Sequence, residues 1–271
     1  METCRPYESL KIIVNSFFGF TLLNYFSSSL TKSLTNFYNE LDEGKKAIWD
    51  NTLVSYVHAS ICSVLAPVCF YLYPEVWKNL IYTNIPIFAF QIALSTGYFV
   101  YDMSDFVVKK IFMDTVGIWI HHIMIVIIFS SSLYTCVCTE YLTASLIVEI
   151  SNVFLHQRKL YLTCFKTKTT RFYRFNSLLL FLTMTGIRIP AHVYLSLKVW
   201  REYELFHNRL YWSMAFYGLI TINILNTQLW LQLWNSDWKK TFLGGGVDAV
   251  SSSNVNKENV KSEIKINGKQ E

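Results

Sequence analysis

Runs of about 20 apolar residues recur along this chain, and at about 1.5 Å per helical residue each is long enough to cross the ~30 Å hydrocarbon core of a bilayer. Read as helices, the runs fall at roughly 9–31, 52–73, 82–102, 114–134, 140–157, 176–198 and 210–234. A soluble protein with a large core is excluded by the length of these segments. Composition agrees: charged residues are 16% of the chain, against the roughly 25% typical of soluble domains, too few to clothe a water-facing exterior. The expected fold is all-α and integral to the membrane, with about seven transmembrane helices. The length of the first run, with Asn15 and Asn24 inside it, favours a retained helix over a cleaved signal peptide. The fifth run is short and interrupted by Glu149.

The placement of Lys and Arg then sets a direction. Lys32, Lys45 and Lys46 follow the first helix, Lys109 and Lys110 the third, and Lys239 and Lys240 the seventh. The loop after the fifth helix, read as residues 158–174, is the most basic, whereas the alternate loops carry only Arg5, Lys78, Arg201 and Arg209. The expected topology is N-terminus outside and C-terminus cytosolic. The net charge of +5 does not sit on a soluble basic face, so no nucleic-acid partner is expected. No C-x-x-C pair occurs, and no metal site is expected. Cys62 and Cys69 read as small core hydrophobes, and Cys136-Val-Cys138 as a short loop too tight for an unstrained disulfide. Residues 241–271 have the composition of a disordered cytosolic tail. The expected division is residues 1–44 as an N-terminal helix and loop, 45–240 as the main helical domain, and 241–271 as the tail.

Ionisable groups inside a bilayer are costly, about 2.5–3.5 kcal/mol each for Arg, Lys or Asp on insertion scales, and usually face the bundle interior. Asp102 and Asp105 share a face at the end of the third helix, and His121 and His122 lie in the fourth. Glu149, Asn152 and His156 line one face of the fifth. Arg188 is deep in the sixth, before Pro190 and His192, and Asn223 and Asn226 mark the seventh. Their depths predict a polar cavity between helices three to seven, open toward the inner leaflet. The competing expectation is structural: single buried polar groups often just join helices, adjacent histidines point about 100° apart so that one supports the other, and Glu149 with Arg188 would form a buried ion pair.

The segments Tyr98-Phe-Val-Tyr-Asp102-Met-Ser-Asp105, Trp119-Ile-His121-His122, Val148-Glu149-Ile-Ser-Asn152-Val-Phe-Leu155-His156 and Arg188-Ile-Pro190 together resemble the TLC (TRAM–LAG–CLN) family of membrane proteins, over about residues 45–235. Their order and spacing resemble most the branch of TLC domain-containing proteins 1 and 2. The resemblance implies a six-helix TLC core plus an N-terminal helix. It also implies a regulator of phospholipid acyl composition and fluidity, limiting polyunsaturated phospholipids in the plasma membrane, with the endoplasmic reticulum as the alternative location. The partners implied are membrane phospholipids or fatty acyl groups.

The wider family includes ceramide synthases, whose signature pairs His-His with His-Asp-x-x-Asp-x-x-Leu-Glu. Here His121, His122 and Leu155 match and Glu149 is conservative, but Val148, Asn152 and His156 depart from it. An Asn amide cannot serve as a general base, so the degraded motif leans away from an enzyme. The alternative function is an acyl-CoA-dependent acyltransferase using His121 or His122, with acyl-CoA as substrate and no cofactor. A receptor or transporter is disfavoured: the seventh helix has no proline and no paired broken helices are seen.

Overall fold

The computed structural model describes residues 6–110 and 116–238. The expected tail, 241–271, lies outside the described residues, as do Arg5, Lys239 and Lys240. Among the described residues the chain is helical, with no strands. The described residues fall into two units that divide after Trp230. We number the main helices α1 (Pro6–Leu34), α2 (Glu43–Leu72), α3 (Pro86–Val108), α4 (Val116–Thr135), α5 (Thr139–Leu146), α6 (Glu149–Phe165), α7 (Arg171–Arg201) and α8 (Arg209–Leu233). In the second unit, the π-turn Trp234–Trp238 follows the end of α8, and its first and last indoles stack 6.3 Å apart. By length and composition, α2 and α7 are the two described helices apolar enough to cross a membrane.

Several boundaries move outward from the sequence expectation, for local reasons. Asp42 caps α2: its side chain accepts from Lys45 N at 2.8 Å, and the bond to Lys45 holds its carboxyl below the usual range. The helix therefore starts nine residues before position 52 and takes Asp50 and Asn51 inside. At the other extreme, the expected fifth helix is two pieces. Ser145 and Ser151 each bond back to the carbonyl three residues earlier, Leu142 and Val148, at 2.6 and 2.8 Å. Such bonds compete with the helical ladder, and the β-branched pair Ile147–Val148 between them adds little to hold it. The break puts Glu149 at the first turn of α6. α6 then continues to Phe165, so most of the basic segment 158–174 is helix rather than loop, and only 166–170 connects.

The first helix packs into the bundle against α2 and α3. At Gly97 of α3 a Cβ would fall 2.5 Å from Ile13 O and from Ser16 Cβ, so only glycine permits this approach. Ser16 Oγ donates to Leu94 O at 2.6 Å across the same seam. α2 packs on α6, α3 on α4, and α5 on the second half of α7. Glu140, fully buried, accepts from Ile85 N at 2.9 Å and so satisfies an orphan amide at the start of α3. The exterior is apolar, with Tyr71 84% and Val108 78% exposed. A surface of this kind suits lipid and not water.

Cys136 is disulfide-bonded, and Cys138 is a buried free thiol. The two therefore do not pair with each other, in line with the tight spacing of that short loop. Cys62 and Cys69 are buried free thiols among the core residues.

Candidate functional site

The polar residues form two hydrogen-bonded clusters and not one. The first joins α2, α3 and α4. Asn51 Nδ2 donates to Asp102 Oδ1 at 2.7 Å and to Asp105 Oδ2 at 3.1 Å. Asp105 Oδ1 pairs with Lys109 Nζ at 2.9 Å. His122 Nδ1 lies 3.0 Å from Asp102 Oδ2, off the line of an N–H···O bond. Asn51 and Lys109 thus hold three of the four carboxylate oxygens, and His122 stands beside the fourth. Lys109 and Tyr101 also meet Asn24, which ties the cluster to α1.

The second cluster joins α6, α7 and α8. Arg188 donates from Nε to Asn226 Oδ1 at 2.7 Å, and from Nη1 to Ser151 Oγ at 3.0 Å and Asn152 Oδ1 at 2.6 Å. Asn152 Nδ2 donates in turn to Glu149 Oε2 at 2.9 Å. Asn226 Nδ2 lies 2.7 Å from His192 Nδ1. The expected direct ion pair between Glu149 and Arg188 is therefore replaced by a bridge through Asn152. Local structure places these groups: residues Met184–Arg188 form a π-turn, which ends at Arg188 just before Pro190. A π-turn inserts an extra residue and re-aims the side chains after it, and a proline two residues on lacks the N–H that would draw the helix back into register. Arg188 is 8% exposed and Asn226 3%.

A cavity of about 90 Å³ lies beside the second cluster. One continuous face of α4 forms its long wall, from His121 through Met124, Ile128 and Ser132 to Thr135. That wall is about 21 Å long, so the space is a slot. Residues of α5, the second half of α7, and α8 close the other sides. His121, Glu149, Arg188 and His192 form its polar end, and the remaining wall is mainly apolar.

Of the sequence candidates, His121, Glu149 and Arg188 line the slot. Asp102, Asp105 and His122 belong to the first cluster and do not line it. Asn152 stands behind the slot as the bridge, and His156 neither lines it nor makes a hydrogen bond among the described residues. The lining runs from His121 toward Thr135, Val137 and Cys138. The two histidines diverge as their 100° spacing requires, His121 to the slot and His122 to Asp102.

Sequence reasoning missed Asn51 and His58. His58 is buried, stacks on Tyr98 with ring centroids 3.8 Å apart, and lies 3.2 Å from Ser95 Oγ. Asn51, Ser55 and His58 share one face at i, i+4 and i+7; starting the second helix at 52 hid Asn51, while His58 lay inside the expected span as a single polar group in an apolar run. Among the described residues no group of three or more His, Cys, Asp or Glu side chains is placed to hold a metal ion.

The family model of the TLC domain matches residues 48–235. The chain is 29% identical to TLC domain-containing protein 2 of Danio rerio over 192 residues, 71% of this chain and 77% of that protein. It is 25% identical to TLC domain-containing protein 2 of Mus musculus over 191 residues, 70% of this chain and 61% of that protein. With TLC domain-containing protein 1 of Mus musculus the identity is 30% over 113 residues, 41% of this chain and 44% of that protein. No solved structure matches the chain.

Proposed function

This chain belongs to the TLC domain family of membrane proteins, and from that premise we propose that it regulates the acyl composition and fluidity of plasma-membrane phospholipid, limiting polyunsaturated chains. The observation that carries the reading is the slot: an apolar trough along α4 that ends on His121, Glu149 and Arg188. Its length and apolar wall suit an acyl chain, and its polar end suits the oxygens at the head of one. The membrane arrangement that goes with it is about seven crossings, with the six-helix core preceded by α1. The N-terminus is outside, supported by the basic residues after α1, α3 and α6 and by the disulfide of Cys136 at the opposite end, as an oxidising compartment allows. The endoplasmic reticulum is the alternative location.

The test is deletion, with rescue by wild type or by His121→Ala plus His122→Ala, and lipidomics of phospholipid acyl chains under a polyunsaturated fatty-acid challenge. Deletion should raise polyunsaturated phospholipid, and the double variant should fail to rescue at normal abundance. An unchanged acyl profile on deletion removes the reading.

One observation favours the acyltransferase as a second reading: His121 lines the slot and makes no hydrogen bond among the described residues. It is free to take the proton of an acceptor hydroxyl or amine as the acceptor attacks an acyl-CoA thioester. Against it, Asn152, where the synthase signature has its second Asp, has its amide committed to Arg188 and Glu149. Release of CoA thiol by the purified protein across a panel of acyl-CoAs and acceptors would sustain this reading, and no turnover would end it.

A further inference from the structure

The polar end of the slot has unused hydrogen-bonding capacity. Arg188 uses Nε and Nη1, while its Nη2 has no partner among the described residues. Glu149 accepts at Oε2, and its Oε1 is likewise unengaged among the described residues. His121 bonds with neither ring nitrogen, its Nδ1 being buried as well. All three side chains line the slot. The polar end therefore offers one donor on a cation, one acceptor on an anion, and an imidazole able to play either part.

Their formal charges constrain the occupant. Arg188 and Glu149 already balance through the Asn152 bridge. An added anion or cation would leave one charge uncompensated in a low-dielectric site. A net-neutral head with an acceptor oxygen next to a donor fits both open valences. Behind the head the wall is Met124, Ile125, Ile128 and Phe129 of α4, facing Met214 and Ile222 of α8. Across the slot from this wall, a Cβ on Gly218 of α8 would fall 2.8 Å from Ile128 Cδ1, so the tip of the Ile128 side chain would have to move to admit one. The Ile128 side chain thus reaches toward Gly218 across the slot at that level, which suits a single chain.

The geometry points to one long-chain fatty acid, bound with its carboxyl protonated, as the occupant of this slot. The carbonyl oxygen accepts from Arg188 Nη2, the O–H donates to Glu149 Oε1 or His121, and the chain lies along α4 toward Thr135. This assignment rests on reading the slot as the acyl site and gives that site a ligand class.

The test uses full-length protein, delipidated in detergent, with palmitic acid carrying a carbon-13 carboxyl. Saturable binding is expected, with the bound carboxyl resonance at its protonated position at a pH where free acid in the same micelles has ionised. Methyl palmitate, which has lost the donor, should compete about tenfold more weakly. Gly218→Leu and Ser145→Leu fill the slot from two walls, and each should weaken binding at least about tenfold. Glu149→Gln removes the balancing anion and should move the bound resonance to the ionised position. An ionised resonance in the wild type, equal competition by the methyl ester, tighter binding of monopalmitoylglycerol, or indifference to both leucine variants would each overturn the assignment. Absent binding with the deletion phenotype intact removes the fatty acid and leaves the regulator; binding without the phenotype does the reverse.

Discussion

The two polar clusters use the same residue types to opposite ends. Around Asp102, Asn51 and Lys109 take three of the four carboxylate oxygens and His122 stands 3.0 Å from the fourth, away from the slot. Around Arg188 the network is equally dense, yet one guanidinium nitrogen and one carboxylate oxygen stay open beside a slot. A buried polar cluster in a membrane protein is thus not a site merely by being there. What distinguishes the second is spare valence next to space. The first fastens α2, α3 and α4 together, and it holds His122 so that His121 is turned the other way.

The comparison can be broken by substitution, beginning with the largest effect. Arg188→Ala should cost about 3–5 kcal/mol, because it strands Glu149 and leaves the amides of Asn152 and Asn226 without their donor. Thermal unfolding in detergent, followed by size-exclusion chromatography, would register it as a large drop in the melting midpoint. Asp102→Ala should cost about 2–3 kcal/mol by leaving Asn51 and His122 under-partnered, with acyl-chain phenotype falling only in step with abundance. A double-mutant cycle of Asp102→Ala with His122→Ala should show coupling of about 0.5–3 kcal/mol, whereas Asp102→Ala with His121→Ala should be nearly additive. His121→Ala should cost under about 1 kcal/mol, since no hydrogen bond is lost, while removing function. If His121→Ala proved as destabilising as Asp102→Ala, the distinction between a fastening cluster and an open one would fail.

Much of this was legible in the chain. Apolar runs located the helices, and the positions of Asp102, His121, Glu149 and Arg188 flagged the interior because such groups are rare at those depths. The sorting into two clusters was not legible, because it depends on which way each helix face turns. Asn152 illustrates this: in sequence it is a lost catalytic carboxylate, and in the fold it is the bridge that lets Glu149 and Arg188 share a slot without touching. The π-turn that re-aims Arg188 leaves only Pro190 as a trace. Asn51 was hidden by a boundary error, since hydropathy alone places the start of the second helix at 52 and overlooks the Asp42 cap. Gly97 and Gly218 read as ordinary apolar-run residues, although Gly97 marks a place where two helices nearly touch and Gly218 leaves room for the tip of Ile128.

The most direct test separates the adjacent histidines. Cells lacking the protein would be rescued with His121→Ala or with His122→Ala, matched for abundance, and their phospholipid acyl chains measured under polyunsaturated fatty-acid challenge. If the open cluster carries function, His121→Ala fails to restore the acyl profile and His122→Ala restores it molecule for molecule. Rescue by His121→Ala together with failure of His122→Ala would contradict that assignment.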